Sequence, residues 1–191
     1  MPDALLAAPD KRANVDIICS VFESCFWRDM QTRLMAGGDE PLYLPADSRC
    51  DYHQIIFRSD YAASALHEAA HWCIAGEQRR QQVDYGYWYE PDGRGVAQQR
   101  IFESVEVKPQ AIEWLFSVAA GRQFRVSLDN LGGDDIDPFP FQLAVWQTVH
   151  YYLANGLPPR AVCFWDALQK HFGSGRATDP YYYTLQRINF N

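Results

Sequence analysis

The sequence predicts an α+β fold, a single helix-dominated domain with a small sheet, and three observations predict it. The chain has 191 residues, the length of one ordinary domain. Its residues are 48% apolar and 15% aromatic, enough to bury a core without disulfides. Stretches of helical periodicity outnumber short β-branched runs, and neither an internal repeat nor a low-complexity tract divides them.

Residues 1–13 are expected to form a flexible N-terminus, 14–172 the folded domain and 173–191 a C-terminal tail. From Asn14 to Met35, apolar residues recur at helical spacing (Val15, Ile18, Val21, Phe22, Phe26, Met30, Leu34), and Gly37-Gly38 reads as the stop. The segment Pro41 to Pro45 is extended between prolines. Gln54-Ile55-Ile56-Phe57 reads as a strand. Ser59 and Asp60 supply N-cap chemistry for an alanine-dense helix to Ala75, closed by Gly76. Val83 to Glu90 suggests another strand, followed by the turn Pro91-Asp92-Gly93. Further helices are expected over Gln110–Ala120, Phe141–Ala154 and Ala161–Phe172.

The formal net charge is −7. Binding to a phosphate backbone starts from a basic face, and no run of Lys and Arg supplies one. Nucleic acid and anionic membranes are therefore not expected partners. Arg79-Arg80 is the nearest basic candidate and reads as a solvated helix end. The five cysteines (Cys19, Cys25, Cys50, Cys73, Cys163) have no C-x-x-C spacing and are expected as reduced, mostly buried thiols. No apolar run approaches the ~20 residues that span a bilayer. Met1-Pro2-Asp3 lacks the basic start and long apolar stretch of a signal peptide. The expectation is a soluble, cytoplasmic protein.

The chemistry sits in His67-Glu68-Ala69-Ala70-His71, an H-E-x-x-H motif inside the alanine-dense helix. Residues four apart share a helix face, so both imidazoles can reach one divalent ion, and Glu68 can act on a metal-bound water. The motif makes this a zincin-like central helix. A third ligand must come from elsewhere, because Gln78 stands where an extended motif would carry a third His. Glu106 is the better candidate, at or just before a helix whose start Pro109 marks, where it could also serve as a charge favouring the helix N-terminus. Glu103 and Glu113 compete with it. If helix runs through the whole stretch, Glu106, Gln110 and Glu113 share a face. His53 and His150 are isolated and read as ordinary histidines.

Two histidines and a carboxylate fit two chemistries. With Zn²⁺ they activate water, as in a metallopeptidase; with Fe(II) they leave room for O₂. Spacing alone does not choose.

The chain resembles the elongation factor P hydroxylase family. The resemblance is carried by Asp39 to Asp47, Ala63 to Gly76, Val83 to Tyr89, Pro91 to Arg94, Val105 to Ala111 and Asp129-Asn130-Leu131, within Phe22 to Leu168. The segment after Gly173 carries no such block. The resemblance implies a cytoplasmic enzyme that hydroxylates a β-lysylated lysine of the bacterial translation factor elongation factor P. It implies metal ligation by His67, His71 and Glu106, with Glu68 as an acid/base or orienting group. It favours Fe(II) with O₂ over the alternative zinc peptidase, because oxygen insertion at an unactivated carbon needs a redox-active centre. The aromatic run Tyr85 to Tyr89 is a candidate wall for a lysyl chain. Asp129, Asp134 and Asp135 are candidates for binding its amines. Whether 2-oxoglutarate or another reductant supplies electrons is not written in the sequence.

Overall fold

The computed structural model describes residues 11–58, 61–85, 94–128, 137–173 and 175–190, with the backbone alone at 11–14, 189 and 190. Five helices dominate, α1 Lys11–Met30, α2 Ala62–Ile74, α3 Val96–Ala119, α4 Phe139–Asn155 and α5 Pro159–Phe172. Three strands, β1 Thr32–Gly37, β2 Leu42–Leu44 and β3 His53–Arg58, form a sheet of order β1-β3-β2. β1 runs parallel to β3, and β2 antiparallel to it. A second, two-stranded parallel sheet joins β4 Arg125–Val126 to β5 Asn189–Phe190. The predicted α+β class, helix-dominated around the motif helix, is what the chain adopts.

The helix expected over Asn14 to Met35 instead ends at Met30 and becomes a strand. Gln31 takes a positive φ of 44°, which breaks the helix without a glycine to announce it. Beyond it burial alternates, with Thr32 and Leu34 inside and Arg33 and Met35 half-buried, so the period is two rather than 3.6. Met30 and Leu34, four apart, imitate a continuing helical stripe. Gly37 is therefore a strand residue rather than a helix stop. A Cβ there would lie 2.8 Å from Ile56 Cγ2, so the close approach of β1 and β3 needs glycine.

α2 lies at the centre, packed against α1, α3, α5 and β3. Its alanines at 62, 65, 69 and 70 are buried, and small side chains let these neighbours come close. The expected caps Ser59 and Asp60 fall outside the described residues; Tyr61 occupies the N-cap position without a side-chain cap. At the other end Arg160 Nη2, from α5, donates to the carbonyls of Trp72 (3.1 Å) and Ala75 (2.5 Å). A guanidinium at the negative end of the helix dipole satisfies carbonyls that have no helical donor.

α3 is far longer than the helix expected over Gln110–Ala120. Pro109 lies in its interior rather than near its start. The alternative placing Glu106 at a helix N-terminus is thereby removed. Proline has no N–H, so the Val105 carbonyl lacks its usual helical donor. Gln110 is buried and grips Ser127 through both halves of its amide, at 2.8 and 3.1 Å.

Of the strand expected over Val83 to Glu90, Asp84 bridges Tyr43 in antiparallel fashion; residues 86–93 lie outside the described residues. After α5, Ala177 and Tyr183 are buried in the main core. Tyr183 O accepts from Trp146 Nε1 at 2.8 Å. All five cysteines are free. Among the described residues no helix is long and apolar enough to cross a membrane.

Candidate metal centre

α2 and α3 cross so that the motif face of one meets the acidic face of the other. The turn-and-a-bit between His67 and His71 stacks their imidazoles edge to face, with Nε2 atoms 3.1 Å apart. Glu106 comes between them from α3. Its Oε1 lies 3.2 Å from His71 Nε2 and its Oε2 3.5 Å from His67 Nε2. Within the described residues these three form the cluster able to hold a metal.

The donor set fits an ion. Separations of 3.1 to 3.5 Å suit donors that each lie about 2.0–2.2 Å from one shared cation. Glu106 is buried, and its Oε2 has no hydrogen-bond partner. Such an atom carries a desolvation cost of about 1–3 kcal/mol or more that a cation would offset.

Glu113, a competing ligand on sequence grounds, faces the back of His67 instead. Its Oε2 is 2.9 Å from His67 Nδ1. With Nδ1–H donating to this carboxylate, Nε2 faces Glu106 and His71 and is the nitrogen a metal would take once its proton leaves. Glu103 lies elsewhere on α3, half-buried and hydrogen-bonded to Gln99 at 3.3 Å. Glu106, Gln110 and Glu113 share the buried face that a continuous helix predicts.

The charges are strongly coupled. Burial favours neutral Glu106, but the charge and hydrogen bond of His71 and the charge of His67 outweigh it, holding the carboxyl down at about 2. Burial likewise disfavours the His67 imidazolium. The Glu113 hydrogen bond, with the charges of Glu106, Glu113 and Glu68, overcomes this and lifts it to about 10. Glu68 and Glu113 are both pushed up, chiefly by burial.

Beside the cluster a cavity of about 280 Å³ is lined by Glu68, His71 and Glu106, by Tyr43 and Trp72, and by Arg79 and Arg80. Beyond the end of α2, Arg80 is half-buried, while Arg79 is exposed, as expected of a solvated arginine. Both belong to a 3₁₀ turn, Arg79–Gln81, held over the cavity by Tyr43 Oη donating to Arg80 O at 2.7 Å. Arg79 is paired bidentately with Asp84. Sequence reading missed this lining; the nearest signal was the arginine pair just after the motif helix.

The remaining candidates fall elsewhere. His53 Nδ1 bonds the Tyr43 hydroxyl at 3.0 Å, and His150 Nε2 meets Tyr183 O at 3.0 Å. Tyr85 is exposed; the rest of the aromatic run, with Asp129, Asp134 and Asp135, lies outside the described residues.

A helix-borne His/His/Glu cluster could serve either hydrolysis or oxidation, and comparison with known proteins separates them. A family profile described as elongation factor P hydroxylase matches residues 21–181. The chain belongs to this family. Over 148 residues it is 50% identical to the elongation factor P lysine hydroxylase of Haemophilus influenzae, covering 78% of this chain and 83% of that protein. The family match takes in the whole cluster and continues past Gly173, where the sequence offered no block. Membership of the elongation factor P hydroxylases disfavours the zinc peptidase alternative and makes the chain an oxidoreductase.

Proposed function

We propose that this enzyme hydroxylates the β-lysylated lysine of elongation factor P in the cytoplasm, with O₂, at an Fe(II) held by His67, His71 and Glu106. The observation that carries the site is the convergence of two imidazole nitrogens and a buried carboxylate oxygen without a hydrogen bond, beside one cavity. Bound iron would supply the redox chemistry that activates O₂, which zinc lacks.

The chain's own residues do the rest. Glu113 holds the His67 ring in one orientation. Tyr43, Ile55, Trp72, Val105 and Pro109 offer apolar walls against which the methylenes of a lysyl chain can lie. Reducing one oxygen atom to water consumes protons. Glu68, at the cavity wall with its carboxyl raised by burial, is placed to hold and deliver one. In a peptidase this residue would be the essential base on water; here its task is proton supply.

Incubating β-lysylated elongation factor P with the protein loaded with Fe(II) or Zn(II) tests the reading. With O₂ and a two-electron reductant present (2-oxoglutarate, ascorbate or dithiothreitol in separate arms), intact mass should rise by one oxygen with iron and not with zinc. An unchanged mass in every arm overturns it.

A further inference from the structure

Hydroxylation has an electron balance that the described residues do not close. A C–H bond and O₂ give a C–OH bond and one water only if two electrons and two protons are supplied. The cavity wall indicates where their donor docks.

Arg80 lines the same cavity as His71 and Glu106. Among the described residues it has no carboxylate partner, and its buried Nε has no hydrogen-bond partner. Its neighbour Arg79 differs, being neutralised by Asp84. The Arg80 guanidinium lies 5.9 Å from the Trp72 ring centroid, and its backbone is fixed by the Tyr43 hydroxyl. The side chain therefore sits on a braced turn without a carboxylate paired to it, although Glu68, Glu106 and Asp84 line the same cavity. A cationic lysyl chain has no use for it, because like charges would repel. An anion does, and a guanidinium is suited to a small carboxylate or enediolate.

We propose that Arg80 binds a small anionic two-electron reductant in the metal-site cavity, so that the electron donor occupies the basic side and the substrate lysine the remainder. The inference rests on the hydroxylase reading above. For a 2-oxo acid, one atom of O₂ enters the substrate C–H bond as hydroxyl. The other enters the new carboxylate as CO₂ leaves. For an enediolate, the second atom leaves as water: both electrons and one proton come from the enediolate, which becomes the diketone, and the second proton comes from solvent.

The test is calorimetric titration of Zn(II)-loaded protein, which is redox-silent, with 2-oxoglutarate and separately with ascorbate. Wild type should bind at least one. Arg80→Ala should weaken that binding about tenfold or more, the loss of one charge-assisted contact, and Arg80→Lys should fall between them. Melting curves establish that each variant is folded; if Arg80→Ala is not, Arg80→Lys and Arg80→Gln decide. Neither anion binding, or all variants binding like wild type, overturns the proposal. Consumption of one 2-oxo acid per hydroxyl, against formation of the diketone, identifies the source. A parallel assay with Fe(II) and neutral dithiothreitol separates the two readings. Oxygen addition at equal rates in wild type and Arg80→Ala, without anion binding, removes the Arg80 site alone. No oxygen addition with any reductant removes the hydroxylase reading, while the titration still judges Arg80.

Discussion

His67 is held between two carboxylates on a single helix: Glu113 Oε2 stands 2.9 Å from its Nδ1, and Glu106 Oε2 stands 3.5 Å from its Nε2. The seven-position step from Glu106 to Glu113 is about two helical turns, so one face of α3 grips both edges of one imidazole. The nearer carboxylate holds the ring and the farther one shares the edge that faces His71.

Glu113→Gln should therefore leave the fold intact while lowering metal affinity about 10- to 100-fold, the usual cost of losing the carboxylate behind a ligating histidine. Competition with a chromophoric chelator measures this. Unchanged affinity would show that the His67–Glu113 contact does not orient the ligand.

Removing ligands separates the glutamates of α3. His71→Ala and Glu106→Gln should abolish tight metal binding and activity together, whereas Glu103→Gln should retain both. The metal-induced rise in melting temperature is the readout, since a ligand at 100 times its Kd stabilises by about 2.7 kcal/mol. Full metal content in His71→Ala would mean that the site lies elsewhere.

Metal loading should be coupled to proton release. His67 is raised from 6.5 to about 10 in the metal-free site, so its stabilising effect is fully present below pH 6.5 and lost as pH rises through about 10. Glu106 is lowered from 4.5 to about 2, so its contribution is present above pH 4.5 and lost as pH falls through about 2. Through neutral pH, binding must expel the His67 proton. Affinity should rise about tenfold per pH unit, with roughly one proton released, as calorimetry in buffers of different ionisation enthalpy would detect. A flat profile from pH 6.5 to 9 would contradict this protonation state.

Gly37→Ala should destabilise the protein by about 1–3 kcal/mol through overpacking against Ile56. Ile56→Ala should cost less in that background than alone, a coupling that a double-mutant cycle reads from denaturant midpoints. Strict additivity would place the strain elsewhere.

By itself the sequence determined the motif helix and the pairing of His67 with His71, because residues four apart meet on any α-helix. It also narrowed the candidates for a third donor to Glu103, Glu106 and Glu113, and pointed to the family of the elongation factor P hydroxylases. Tertiary structure decided what depends on contacts between distant segments. The crossing of α2 and α3 turns Glu106 inward to the donor atoms, Glu113 to the back of His67 and Glu103 away. The end of α1 at Gln31 was hidden because Met30 and Leu34 fit a helical stripe, while pairing with β3 imposes the extended backbone. Arg80 looked like a solvated residue until the turn after α2 folded over the cavity. Local periodicity fixes which face a side chain occupies; only the packing of elements fixes what that face meets.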